Sequence, residues 1–426
     1  MGYNFKDDEN YPKVLDEKDP LRHFRERFYQ RDGEIYLCGN IFGLASIDAE
    51  NSLLNALDIW KRENFKIFSE NEGKYLYYPS HLAKLMAPLV KAIPEEVTIT
   101  GSTTANIHQA ISTFYKPTKT KYKILIEDTN FPSNRYAVDS QVLLKGLDPQ
   151  DAVKVVYSEG KFFDEDLITQ AMTPDVALVL LSAVNFKNAQ ILDMKLISAE
   201  AKKRDIIIGW DLCHAIGAIE LDLPSLDVDF AAWCTYKHLN GGGGCPAGLY
   251  INRKHFHVRP GLAGWYGNRK DTQFLMLQEF DHQKDADGWQ IGSPNLFSMS
   301  TLEGTLQMFN DAVMENIRKK SLHITAYLMY LVESKLGHFG FTFGNPREDS
   351  KRGGHVCLEH AEGREIALAL GARGVVTDFK PPIMIRLGPV ALYTSYTQVY
   401  RVVEILLDIM NRETYKSYRN DQEQLL

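Results

Sequence analysis

The sequence predicts an α/β protein in two parts: a large domain built on a mostly parallel sheet, followed by a smaller α+β domain. Short β-branched runs recur from about residue 95 with helical patterns between them. That alternation buries a parallel sheet on both faces. Near residue 300 it gives way to a long helical region. With 426 residues, 44% of them hydrophobic, the chain can bury a large core and divide into more than one domain.

Residues 1–35 are rich in charge and read as an N-terminal arm, partly ordered. Residues 36–300 form the large domain. Its strands are expected at "KYKILIED" (121–128), "AVKVVYS" (152–158), "VALVLLSAV" (176–184), "DIIIGWDL" (205–212), "FAAWCTY" (230–236) and "GLYINR" (248–253). Residues 301–426 form the small domain, joined by a long helix over about 300–337. "HVCLEH", "IMIRLGP" and a final helix from Tyr396 to Met410 follow.

Composition removes several classes of function. A net charge of −7 gives no reason to expect nucleic acid. No apolar run approaches the roughly 18 residues that cross a bilayer, so no membrane is expected. The N-terminus lacks a signal-type apolar core, and five cysteines without a CxxC pair fit a reducing, cytoplasmic setting. No metal is expected.

Three features converge on the carboxyl ends of the strands, where sites lie in sheets of this kind. In "WCTYKHLNGGGG" (233–244), Lys237 follows a core strand and precedes four glycines. A desolvated amine there can form a Schiff base. In "WDLCHAIGAIEL", Asp211 ends another strand, with His214 one turn on. A buried carboxylate needs a partner, and a ring-nitrogen cation is one. In "TITGSTTANIHQAI", Gly101 leads into a helix opening with Ser102, Thr103 and Thr104, an anion-binding N-terminus. Phe131 in "EDTNFPSNRYA" is placed to lie on a ring face. Each feature alone has an ordinary structural explanation, and neither GxGxxG nor GxxxxGK[ST] is present. Amine, carboxylate and phosphate cradle together are what pyridoxal 5'-phosphate requires.

"YLCGNIFGL", "NIHQAISTFYKPT", "FPSNRYAVDSQ", "WDLCHAIGAIEL", "WCTYKHLNGGGGCPAGLYI" and "GLAGWYG" resemble the kynureninase family, from about Tyr36 to Met410. The resemblance implies a fold-type-I pyridoxal-phosphate homodimer of the aminotransferase class V kind, with a seven-stranded sheet. Its activity would be hydrolysis of the Cβ–Cγ bond of a 2-amino-4-oxo acid, releasing alanine and a carboxylic acid.

It also implies roles. Lys237 would carry the cofactor and Asp211 would pair with its ring nitrogen, with His214 alongside. Phe131 would stack on the ring near Ser182, while Thr103, Thr104 and Tyr236 would serve the phosphate. Trp265 and Ser293 would reach the phosphate from the partner subunit, and Arg386 would clamp the substrate α-carboxylate. The segment 36–95 would also line the substrate pocket.

Several substrate positions depart from the family pattern. Ile41 stands where a serine is usual, Glu70 falls on or beside a histidine, and Ser293 replaces an asparagine-bearing segment's residue. Phe186-Lys187-Asn188-Ala189 replaces a Tyr/Phe-x-Thr-Gly stretch. These departures predict a divergent member in which L-kynurenine turns over poorly. The alternative is aminotransfer, β-elimination or β-decarboxylation on the same cofactor.

Overall fold

The computed structural model describes residues 3–69 and 71–419. Glu70 therefore lies outside the described residues. The large sheet, seven-stranded among them, comprises β1 (Val97–Thr100), β2 (Lys123–Glu127), β3 (Val153–Val156), β4 (Val176–Ser182), β5 (Ile207–Asp211), β6 (Phe230–Trp233) and β7 (Ala247–Ile251). The spatial order is β1-β7-β6-β5-β4-β2-β3. β7 alone runs opposite to the other six strands of this sheet. The carboxyl ends of the other six consequently share one edge.

Period-two alternation explains why the central strands are apolar throughout. Val179, Leu181, Ile208 and Trp210 join one core cluster, while Leu178, Leu180, Phe230 and Ala232 join the cluster on the opposite face. Gly209 allows close packing, since a Cβ there would lie 2.1 Å from the Phe230 ring.

The expected strand 230–236 stops at Trp233. Beyond it the chain bends into a turn closed by Gly241 N–H to the Thr235 carbonyl and Asn240 N–H to the Lys237 carbonyl, at 2.8 and 2.9 Å. Two of the four glycines, Gly242 and Gly244, take left-handed φ of +82° and +78°, which glycine adopts without penalty.

The expected long helix is two helices, Leu296–Ala312 and Met314–Leu336. Val313 between them sits at φ +64°. Its N–H bonds the Phe309 carbonyl and its own carbonyl takes the amides of Asn316 and Ile317. It thus closes one helix and opens the next, a break that its β-branched side chain does not announce. A four-stranded antiparallel sheet containing Val356–Glu359, Asp378–Lys380 and Met384–Leu387 follows. It packs with the helix Tyr396–Asn411 around a separate apolar cluster.

The N-terminal segment is pinned to both parts. Leu21, Phe24 and Phe28 enter the large core. Asp16 accepts the Tyr396 and Thr397 amides at 2.7 and 3.0 Å, satisfying donors at that helix's N-terminus. Lys320, itself buried, pairs with Asp19 at 2.6 Å.

Candidate active site

The shared edge of the sheet opens into a cavity of about 100 Å³. Register puts its polar groups side by side: Ser182 pairs with Asp211 across β4 and β5, and Asp211 with Ala232 across β5 and β6. Eight residues given cofactor roles from the sequence line it, Thr103, Thr104, Phe131, Ser182, Asp211, His214, Tyr236 and Lys237, together with Phe186 of the departing stretch.

Lys237 projects from the turn after β6. Its Nζ lies 3.0 Å from His214 Nε2 and 5.9 Å from the centre of the Phe131 ring. A second backbone meets this turn, although it does not meet the glycine run. Gly43 N–H donates to the Tyr236 carbonyl at 2.7 Å, and a Cβ on Gly43 would sit 2.4 Å from the Lys237 carbonyl oxygen.

Burial, and then the charge of Lys237, hold His214 well below the usual imidazole range, with His355, Arg386 and His238 adding to the effect. His238 falls to about 4, burial first and Lys237 second. A neutral imidazole beside the lysine can accept a hydrogen bond from its amine. His214 Nδ1 is buried without a hydrogen-bond partner among the described residues.

Asp211, 6% exposed, takes the Cys213 amide at 2.8 Å and the Asn134 side-chain amide at 2.7 Å. Asn134 also donates to Asn130, which in turn donates to Glu127 at the end of β2. Glu127 further accepts the Ser182 amide at 3.0 Å. The resulting chain links two buried carboxyls through two amides. Asn134, Asn130 and Glu127 lie within or beside the quoted "EDTNFPSNRYA", yet only Phe131 stood out there.

At the opposite wall the helix Thr103–Phe114 begins. Ser102 takes the amides of Ala105 and Asn106. Among the described residues this leaves the Thr103 and Thr104 amides for a ligand. Thr104 Oγ1 is 2.7 Å from Ser133 Oγ, so a second hydroxyl joins the cradle. An anion site, an amine, a buried carboxylate and an imidazole with an unpaired nitrogen fit pyridoxal phosphate group by group.

Other expected residues lie elsewhere. Arg386 is outside the lining, reaching it through a bond from Nη1 to the carbonyl of Phe186. Ile41 is half-buried and also outside the lining. Trp265, 45% exposed, and Ser293 are on the surface. Ala189, where the family pattern has glycine, stands at φ +59°, a conformation that costs an alanine about 1 kcal/mol or more.

Fold and cavity together define a class, the fold-type-I pyridoxal-phosphate enzymes. Fold similarity to solved structures agrees: C-DES carrying a glycine covalently linked to its cofactor superposes with a TM-score of 0.77 at 15% identity, covering 90% of this chain and 99% of that one. Residues 317–406 match the kynureninase C-terminal domain. A kynureninase of Bacillus cereus is 50% identical over 97% of both chains. That of Bacillus thuringiensis subsp. konkukian is 49% identical with the same coverage. The chain belongs to the kynureninase family.

Burial is the main cause that pushes the Glu127 carboxyl up from 4.5 to about 7. Between those values the folded protein holds a proton that the unfolded chain has released. This contribution to stability is therefore complete below pH 4.5 and lost as pH rises through 7. Urea unfolding of wild type and Glu127→Gln across that range should give a stability difference that changes on the order of 3 kcal/mol. Parallel profiles would show that Glu127 does not titrate there.

Proposed function

We propose that this chain hydrolyses the Cβ–Cγ bond of L-kynurenine, a 2-amino-4-oxo acid, with one water, giving anthranilate and L-alanine. The observation that carries the reading is the convergence of Lys237 and Asp211 on one cavity walled by Phe131 and a helix N-terminus. When bound, pyridoxal phosphate supplies the electron sink that makes the substrate's α-proton removable. Thr103, Thr104 and Tyr236 would hold its phosphate, and Phe131 and Ser182 would flank its ring. Asp211, fixed by Asn134 and the Cys213 amide, would hold the proton at its ring nitrogen. Arg386 takes the substrate α-carboxylate. Lys237 Nζ, oriented by its contact with neutral His214 at 3.0 Å, would remove the α-proton and carry it onward.

Identity of about one half along nearly the whole of both chains favours kynurenine over a repurposed side chain. The departures at Ile41, Glu70 and Ser293 point the other way. A steady-state assay of anthranilate fluorescence decides the matter. We expect kcat/KM of about 10⁴ M⁻¹s⁻¹ or above, ordinary for an enzyme on its own substrate. A value below about 10² M⁻¹s⁻¹ would restore the reading in which Ile41, Glu70 and Ser293 mark a different side chain.

Asp211→Asn should keep the cofactor and lose about 10²-fold or more in kcat, as when a preorganised electrostatic group is removed. Near-normal turnover would assign the ring nitrogen to another acid.

The homodimer belongs to the same proposal. Trp265 stacks edge-on against Phe274 at 6.0 Å, and the run Phe274-Leu275-Met276-Leu277 beside it is at least half exposed. An apolar surface of this kind is suited to a second copy, which would bring Trp265 and Ser293 to the neighbouring phosphate. Sedimentation should give twice the chain mass of 48.5 kDa. A fully active monomer would remove the shared site.

A further inference from the structure

Arg386 sits on the strand Met384–Leu387 with its side chain only 3% exposed. Its Nε donates to both oxygens of Asp378 at 2.9 and 3.0 Å, and Nη2 donates to Asp378 Oδ2 at 2.5 Å. Nη1 donates to the carbonyl of Phe186, the cavity-lining residue. The two attachments differ in kind. Asp378 is 1% exposed and faces Arg386 directly in the antiparallel register, so that pair is locked in the sheet and sealed from water. The Phe186 carbonyl is a neutral acceptor on a turn, and a carboxylate accepts more strongly from a guanidinium. At 3% exposure, no substrate carboxylate reaches the guanidinium while that turn stays in place.

Charge leads to the same place. Lys380 Nζ also lies on Asp378, at 3.1 Å from Oδ2. Two cations therefore share one buried carboxylate, and a second carboxylate would balance them.

We propose that Asp378 is a positioning residue which fills the Nε edge of Arg386 and leaves the Nη1 end as its opening. The Phe186 carbonyl stands at that opening until the α-carboxylate of an amino-acid substrate replaces it. The inference rests on the reading of Arg386 as the carboxylate clamp. The exchange trades one acceptor for another at Nη1, with no covalent change. The turn carries strain at Ala189, φ +59°, against which it is held by Asn185 through the amides of Lys187 and Ala189, by Asn188 on the Lys161 carbonyl and by the Gly353 amide on the Ala189 carbonyl. Its movement reaches the cofactor wall, because the Phe186 ring meets Phe131 edge-on at 5.6 Å and 87°.

The test is hydrogen–deuterium exchange of the holoenzyme with L-alanine and with L-alaninamide, which lacks the carboxylate. Both are added to equal change in cofactor absorbance. L-Alanine should raise exchange of the amides at 186–189 about threefold or more, and alaninamide should leave it unchanged. In Asp378→Asn the affinity for L-alanine, read from the same absorbance, should fall about tenfold, with alaninamide affected less than about twofold. If L-alanine binds more tightly than alaninamide and exchange at 186–189 does not move, the clamp stands and the carbonyl replacement is overturned. Equal affinities for the two ligands overturn the clamp reading and this inference with it. Undiminished L-alanine affinity in Asp378→Asn removes Asp378 from the proposal, while the exchange measurement on the wild type stands if that variant does not fold.

Discussion

A carboxylate sealed behind a sheet has to be given hydrogen-bond donors, and the site is organised around that requirement at Asp211. The end of β5 places it, and the register with β4 and β6 sets Ser182 and the approach to Lys237 beside it. The donors are neutral: one backbone amide and one asparagine amide. Neutral donors satisfy the carboxylate without cancelling its charge, which a lysine or arginine would do. The negative charge stays available for a cation brought by a ligand. Asn134 and Asn130 extend the scheme to Glu127, whose raised pKa lets it share the buried space as a protonated acid at mildly acid pH.

Lysine and arginine meet the opposite problem. Lys237 is placed among imidazoles that burial keeps neutral, and among the described residues no acid forms an ion pair with its amine. Arg386 is paired with Asp378 and so is fixed in direction, with its remaining reach toward Phe186. One cation is left free to react and the other is anchored to bind, in keeping with the pliant stem of lysine and the rigid fork of arginine.

Much of this was legible in the sequence because it depends on local grammar. Six of the seven strands and the polar residues at their ends are legible in apolar runs and what interrupts them, whereas Val97–Thr100 and the spatial order of the sheet are not. The eight residues gathered round the cavity came from such endings or from motif matches. What was missed depends on pairing across the fold. Asn134 looks like any residue in the first turn of a helix until β5 delivers Asp211 to it. Asp378 precedes "FK" and a proline pair with no pattern to mark it, and only the register with Arg386 gives it meaning. Val313 gives no local sign that a helix breaks there, because a valine is not a residue from which a φ of +64° can be read. The four glycines were legible as unusual. They shape their own turn, and the backbone that presses against the lysine comes from Gly43.

That last contact ties the beginning of the chain to its chemistry. The Gly43 amide fastens the carbonyl just before Lys237, and there is no space for even a methyl group between them. The sheet alone therefore does not define where the amine points. The turn that carries the lysine acquires its final shape when a segment almost two hundred residues earlier in the sequence has docked against it. During synthesis that segment emerges first and must wait for its counterpart. The direction of the amine thus depends on a contact that closes a loop of almost two hundred residues.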